Sequence, residues 1–382
     1  MALSRSKKLE PAPVDVEQTV PVGLKIAAAY SWRILLVLGV LAVFIYVFIQ
    51  FRYIAIPFMI SVLIGALLVP FVQWLQRHRW PKWLAVTMAM VGTIAIVTGL
   101  IIVVVAQIRS GYPDLQDRSL AAFQDFRDWL VTSPFAIDDT EFDAWIASLV
   151  EAVQRDSQAL INGALSVGST AGHVLAGLLL TLFATLFILI DGKGIWAWIV
   201  RLFPKRARPA VDGSGRAGWV TLTTFVKVQI FVAAVDAIGI GLGAWILGLV
   251  FGGFPLVIPI AIAVFLGSFI PVVGAVVTGA IAAFVALVYL GPLPALIMLG
   301  IVLLVQQVEG HVLQPLVMGT AVKVHPLAVV FAVAAGSYIG GIAGALFAVP
   351  VVAVANVMVH TISSGSWRTN PNPTAKEIFP SA

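Results

Sequence analysis

PLVIPIAIAVFLGSFIPVVGAVVTGAIAAFVALVYL, Pro255 to Leu290, contains no charged side chain. A continuous helix through its roughly 35 residues would measure about 50 Å. The hydrocarbon core of a bilayer is only ~30 Å thick. The stretch must therefore break, and Ile270-Pro271-Val272-Val273-Gly274 supplies both a proline and a glycine for it. A second apolar run of similar length, Pro326 to Ile362, contains its own interruption, Gly340-Gly341-Ile342-Ala343-Gly344. The two runs are alike: Pro255-Leu256, Gly267-Ser268-Phe269-Ile270 and Gly274-Ala275 in the first match Pro326-Leu327, Gly336-Ser337-Tyr338-Ile339 and Gly344-Ala345 in the second. Repeated, interrupted apolar segments point to a transport site, because a broken helix frees backbone groups that can hold a solute or ion.

The surroundings are equally apolar. From Arg216 to Arg368 the only charges between are Lys227, Asp236, Glu309 and Lys323. Over all 382 residues, 60% are hydrophobic and 11% are charged. An ordinary soluble domain has roughly 25% charged residues. So few charges cannot cover a water-facing surface, and the absence of cysteine excludes a disulfide scaffold. What is left is an all-α, polytopic membrane protein with about eight membrane segments, two of them broken or re-entrant.

Working outward, residues 1–33 read as a polar tail and 34–108 as three spans, the third being Trp83 to Ile108. Residues 109–171 carry ten acidic and four basic side chains and read as an external segment, with an amphipathic helix from about Thr140 to Ser166. A fourth span covers 172–190, a basic loop 191–221, a C-terminal transport bundle 222–362, and a disordered tail 363–382. The basic loops QRHRWPK (Gln76 to Lys82) and 191–221 orient the chain with both termini in the cytoplasm. Two topologies satisfy this parity, eight full crossings or two re-entrant hairpins entering from opposite faces.

An acid inside a span costs several kcal/mol when charged, and survives where it faces a cavity or a partner. Asp236 shares a helix face with Gln229, Gly239 and Gly243, so it can be a proton carrier or cation ligand, or simply one partner in an interhelical hydrogen bond. Glu309 sits in QQVEGHVLQPLVMG, where Gln306, Gln307 and Gln314 gather beside it and Lys323 and His325 follow; it is either a transport group or an interfacial cap. The gate candidates are Pro271, Gly274, Gly340, Gly341 and Gly344. Asp191-Gly192 reads as a helix stop with glycine at C′ or as a cytoplasmic hinge. The GxxxG pairs Gly239/Gly243 and Gly336/Gly340 read as sites of close helix packing, which also makes a homo-oligomer an expectation. No metal-ligand spacing, nucleotide loop or nucleophile motif is present, so no metal, no cofactor and no enzymatic activity are expected. The basic loops follow topology and imply lipid rather than nucleic acid as neighbour.

The ordered set IAIPFMISVLIGALLVPFVQWL, FILIDGKGIW, IPVVG, VQQVEGHVLQPLVMG, HPLAVV and GGIAGALFAVP resembles the autoinducer-2 exporter family of bacterial membrane proteins, the PerM-like permeases. The resemblance covers nearly the whole chain from about Ser31 to Ile362. It implies a multi-span inner-membrane transporter that exports a small polar molecule such as autoinducer-2, or exchanges Na⁺ or Li⁺ for H⁺. It also implies that Glu309 matches the family's acidic signature and Asp236 its commonly acidic position in the fifth span. A passive oligomeric channel or a membrane scaffold is the alternative.

Overall fold

A computed structural model describes residues 21–132, 167–270, 273–311, 313 and 326–378. It divides into two units, Met1–Arg52 and Tyr53–Ala382. The first unit contributes α1, Val22–Gln50, so residues 22–33 of the expected tail are already helical. The second unit begins within α2, Arg52–Arg77. It continues with α3 (Lys82–Thr132), α4 (Val167–Arg201), α5 (Arg208–Phe251), α6 (Val257–Gly267), α7 (Val273–Leu290), α8 (Pro292–Val308) and α9 (Pro326–Ser364). A 3₁₀ turn, Ser366–Arg368, and α10, Ala375–Ile378, follow. Among the described residues seven helices are long and apolar enough to cross a membrane, and no strand occurs. The chain is a polytopic helical membrane protein.

Helix ends and membrane boundaries do not coincide. α3 runs unbroken through Arg109 to Thr132, so the change of composition at 109 is a change of solvent and not of backbone. The expected amphipathic helix at 140–166 lies outside the described residues. The basic stretch expected as a loop from 191 to 221 is mostly helix, interrupted only around residues 202–207. α5 has 44 residues and stops where Gly252 takes a left-handed backbone, φ 103°. At 1.5 Å per residue it is about 66 Å long, twice what a crossing requires. Asp191 has φ −143° and ψ 41° and kinks α4, and its carboxylate accepts the N–H of Gly194 at 3.1 Å. It thus caps a renewed helix. Gly192 is not among the glycines with positive φ, so the glycine-stop reading is replaced by the kink.

The end of α2 is unusual. Arg79 N–H bonds to Gln76 O at 3.0 Å and Trp80 N–H to Leu75 O at 3.3 Å, the two bonds of a Schellman closure. Its C′ residue is Arg79 at φ 66°, where glycine would be unstrained. A side chain there costs about 1 kcal/mol.

Packing in the second unit centres on α5. Ala237, Ile240, Ala244 and Leu247 of α5 share a core with Ile260 and Val264 of α6, Ala282 and Val285 of α7, and Met298 and Val302 of α8. On its other side Leu222 and Val226 pack with Ala66 of α2, and Val354 of α9 closes that cluster. Leu68 and Val72 of α2, Ala85 and Val86 of α3 and Leu189 of α4 form a further cluster. Elsewhere the apolar surface is open, as at Leu249 and Leu304, and in a bilayer it faces acyl chains.

The tail expected to be disordered is ordered from 365 to 378. Trp367 seats its Cβ where Gly213 of α5 has none, Arg216 donates to Asn372, and α10 touches α5. Trp196 of α4 joins this end by donating its Nε1–H to Asp212 at 2.9 Å, while Arg216 bridges the same carboxylate at 2.9 Å. A polar segment orders here because the N-terminal end of α5 offers it a glycine notch and hydrogen-bond partners.

Candidate functional site

Both long apolar stretches are helical hairpins. In the first, α6 has 11 residues, about 16 Å. That is half a bilayer core, so α6 does not cross and the chain turns back into α7. The turn is held by glycine: the carbonyl of Gly267 lies where a Cβ on Gly274 would sit, and Thr278 Oγ1 donates to Gly274 O at 2.8 Å. In the second, α9 reverses at Gly341, φ 61° and ψ −144°, a conformation that requires glycine. Gly344 O then occupies the Cβ position of Gly336. Glycines 267 and 274 meet each other, as do 336 and 344, which are the matching positions of the repeat. The likeness extends to hydroxyls, since Ser268 Oγ reaches Val264 O and Ser337 Oγ reaches Val333 O, both at 2.8 Å. The break expected at Ile270 to Gly274 begins after Gly267, the last residue of α6, and that expected at Gly340 to Gly344 falls at Gly341. Pro271 lies outside the described residues.

The hairpins meet against α5. Ile270, at the first turn, packs with Val333, Ala345, Ala348 and Val349 of the second hairpin, and Phe225 of α5 joins them. One helical turn further along α5 is Gln229, whose Nε2 donates to Ser268 O at 2.7 Å. Two more turns bring Asp236, 1% exposed. Its Oδ2 accepts the Ser268 hydroxyl at 3.1 Å, and its Oδ1 is buried with no hydrogen-bond partner among the described residues. The Ser268 hydroxyl has one proton, so its contacts to Asp236 and to Val264 O compete for it.

Helix register brings the second acid to the same place. A Cβ on Gly243 would stand 2.6 Å from Ile301 Cγ2, and one on Gly239 would stand 3.0 Å from Val305 Cγ2. Each step of four back along α5 therefore meets a step of four forward along α8. The next step pairs Val235, the neighbour of Asp236, with Glu309 at the end of α8, where a short π-helical turn begins. Glu309 acts electrostatically on Asp236 across this gap. The two glycines are used inside the chain, which removes them as a surface for self-association.

Gln229, Asp236 and Glu309 are thus brought to one site, and Gln306 is half-buried near it, whereas Gln307 is exposed. Gln314, Lys323 and His325 lie outside the described residues. Asp191 and Gly192 belong to the α4 kink, away in sequence and contacts from the carboxylates. Sequence reasoning missed Ser268 as a site residue, although it was visible as the Gly-Ser element common to both broken stretches.

Chemically, the site holds a carboxylate with one oxygen unpaired among the described residues, a second carboxylate, an amide, a hydroxyl and the Ser268 carbonyl at a helix break. These are hard oxygen donors suited to a proton or a small monovalent cation. The polytopic helical fold agrees with the comparisons. The profile described as AI-2E family transporter matches residues 38–364. "Putative transport protein MT0215" of Mycobacterium tuberculosis is 37% identical over 355 residues, covering 93% of this chain and 95% of that one. The protein bearing the corresponding name YrrI in Bacillus subtilis is 25% identical over 314 residues, 80% of this chain and 85% of its own. A match over nearly the whole length, on a chain that independently forms a polytopic helical bundle, makes this protein a member of the AI-2E transporter family.

Proposed function

We propose that the protein is a secondary transporter in which Asp236 and Glu309 carry the coupling proton or monovalent cation, and in which the two glycine-closed hairpins form the gate. The observation that carries this reading is the free Oδ1 of the buried Asp236, placed where the first hairpin turns and where the second hairpin touches it. A buried carboxyl oxygen without a partner is costly in a low dielectric, and binding a proton or cation removes that cost. The transported species in this proposal is a small polar molecule such as autoinducer-2 moving outward, or Na⁺ or Li⁺ exchanged for H⁺. In this proposal the protein lies in the bacterial inner membrane with both termini cytoplasmic, a reading supported by the positive-inside bias of the basic stretches at 76–82 and 191–221.

The test is flux in proteoliposomes with autoinducer-2, Na⁺ or Li⁺, with and without a pH gradient. Asp236→Asn and Glu309→Gln should each abolish gradient-driven flux while the purified protein still elutes as a single species. Gradient-driven flux at wild-type level in both variants would remove the acids from the mechanism. Flux of wild type that ignores the gradient, or no flux of any of the three solutes, would favour a passive channel or a scaffold.

A further inference from the structure

The Schellman closure of α2 folds Trp80 back over Leu75 and opens a cavity of about 280 Å³ between the end of α2 and the start of α3. Its walls are Phe71, Trp74, Leu75, His78, Trp80 and Met88. The aromatic walls are ordered against one another: Phe71 stacks on Trp74 at 6.2 Å, and Trp74 meets His78 at 4.4 Å, where His78 Nδ1 is 2.8 Å from Trp74 O. Tryptophans 74, 80 and 83 lie together where two apolar helices end, as in the aromatic belt of a membrane interface. The turn that carries Trp80 also carries Arg77, Arg79 and Lys82, all exposed, with no acid between Gln76 and Lys82. Among the described residues none of these three forms an ion pair. The positive end of the α3 dipole opens at the same turn.

An apolar floor, an aromatic collar and a cationic rim make up the chemistry that recognises a lipid carrying a negative head group. We propose that this cavity binds one anionic phospholipid, with an acyl chain against Phe71, Trp74 and Met88 and the phosphate held by Arg77, Arg79 and Lys82. Arg79 is the informative residue. Its left-handed backbone would be unstrained as glycine, so the guanidinium is carried at a position where the backbone favours its absence. The α2–α3 turn is distant in sequence from the carboxylate site, and the lipid site stands whether or not Asp236 and Glu309 couple transport.

The same feature provides a clean test. Arg79→Gly removes the charge and relieves the backbone, so the turn keeps its shape. Full-length protein in detergent is titrated with phosphatidylglycerol or with phosphatidylcholine of the same acyl chains, and bound lipid is counted by native mass spectrometry. Wild type should retain phosphatidylglycerol preferentially, and Arg79→Gly should lower its affinity about fivefold, the share of one interfacial basic residue. Arg206→Gly, in the other basic turn, should leave the preference intact. Equal retention of the two lipids by wild type would overturn the proposal. So would undiminished preference in Arg79→Gly, or an equal loss in Arg206→Gly, which would mean diffuse attraction without a site.

Discussion

Replacing Gly267 by alanine is the sharpest probe of the first hairpin. A Cβ at 267 would stand 2.6 Å from Thr278 Cγ2 and 3.3 Å from Gly274 O. Carbon atoms in contact sit at about 3.5–4.0 Å, so α6 and α7 must part by about 1 Å. Thr278 has little room to yield, being buried with its hydroxyl committed to Gly274 O at 2.8 Å. Overpacking of this kind costs about 1–3 kcal/mol. Alanine recovers up to about 1 kcal/mol over glycine as a helix former, leaving a net loss of about 1 kcal/mol. The functional effect should be larger, because Ser268 is the next residue. Its 3.1 Å bond to Asp236 has only a few tenths of an ångström before it ceases to be a hydrogen bond, and a shift of about 1 Å exceeds that. Gly300→Ala is the matched control, since a Cβ there meets nothing within 4 Å and only the helix-propensity gain applies. Thermal unfolding of the purified variants in detergent and gradient-driven flux in proteoliposomes are the two readouts. The reasoning is refuted if Gly267→Ala melts no lower than Gly300→Ala and transports like wild type.

Three further outcomes follow from the same contacts. Ser268→Ala leaves Asp236 without its hydroxyl donor, and should lower stability by about 1–3 kcal/mol and reduce gradient-driven flux, whereas Ser337→Ala, whose hydroxyl reaches only its own helix at Val333 O, should leave flux close to wild type. Gly243→Leu drives into Ile301, whose Cγ2 would lie 2.6 Å from the new Cβ, and displaces α8 from α5; adding Glu309→Gln to this variant should then lower flux no further. In the tail, the Thr374 N–H and hydroxyl and the Asn370 amide hold the Glu377 carboxylate below the usual glutamate range. A depressed folded value means that this bond stabilises the tail above the ordinary glutamate range and is lost as pH falls through the depressed value. Amide exchange at residues 374–378 should therefore accelerate, relative to its intrinsic rate, on going from pH 7 to pH 3, and Glu377→Gln should largely remove that change.

The hairpins were legible because a charge-free run longer than a bilayer must break, and proline and glycine mark where. The GxxxG pair on α5 was legible as packing because no strand precedes it, and Ile301 and Val305 are what it packs against. Helix lengths were not legible, since polarity reports solvent, and α3 and α5 continue as helix into water. Nor was the pairing of Ser268 with Asp236, which depends on where a hairpin 32 residues away turns back. Periodicity describes one helix at a time and has no information on such a meeting. The docked tail escaped for a related reason: Trp367 and Gly213 fit one another only after α9 has returned along α5.

That docking has a mechanical consequence. The outgoing arm of α9, residues 342–364, is fastened at its far end to α5 through Trp367, Arg216 and Asn372, and along its length through Val354 beside Leu222 and Val226. Two rods joined at one end and zipped along their sides act as a single beam. The incoming arm, Pro326–Gly340, is held by side chains alone, through Val333 packed beside Phe225 of α5 and Ile270. The second hairpin is therefore asymmetrically anchored, its outgoing arm part of the frame and its incoming arm joined to that frame and to Ile270 by apolar packing ahead of Gly341.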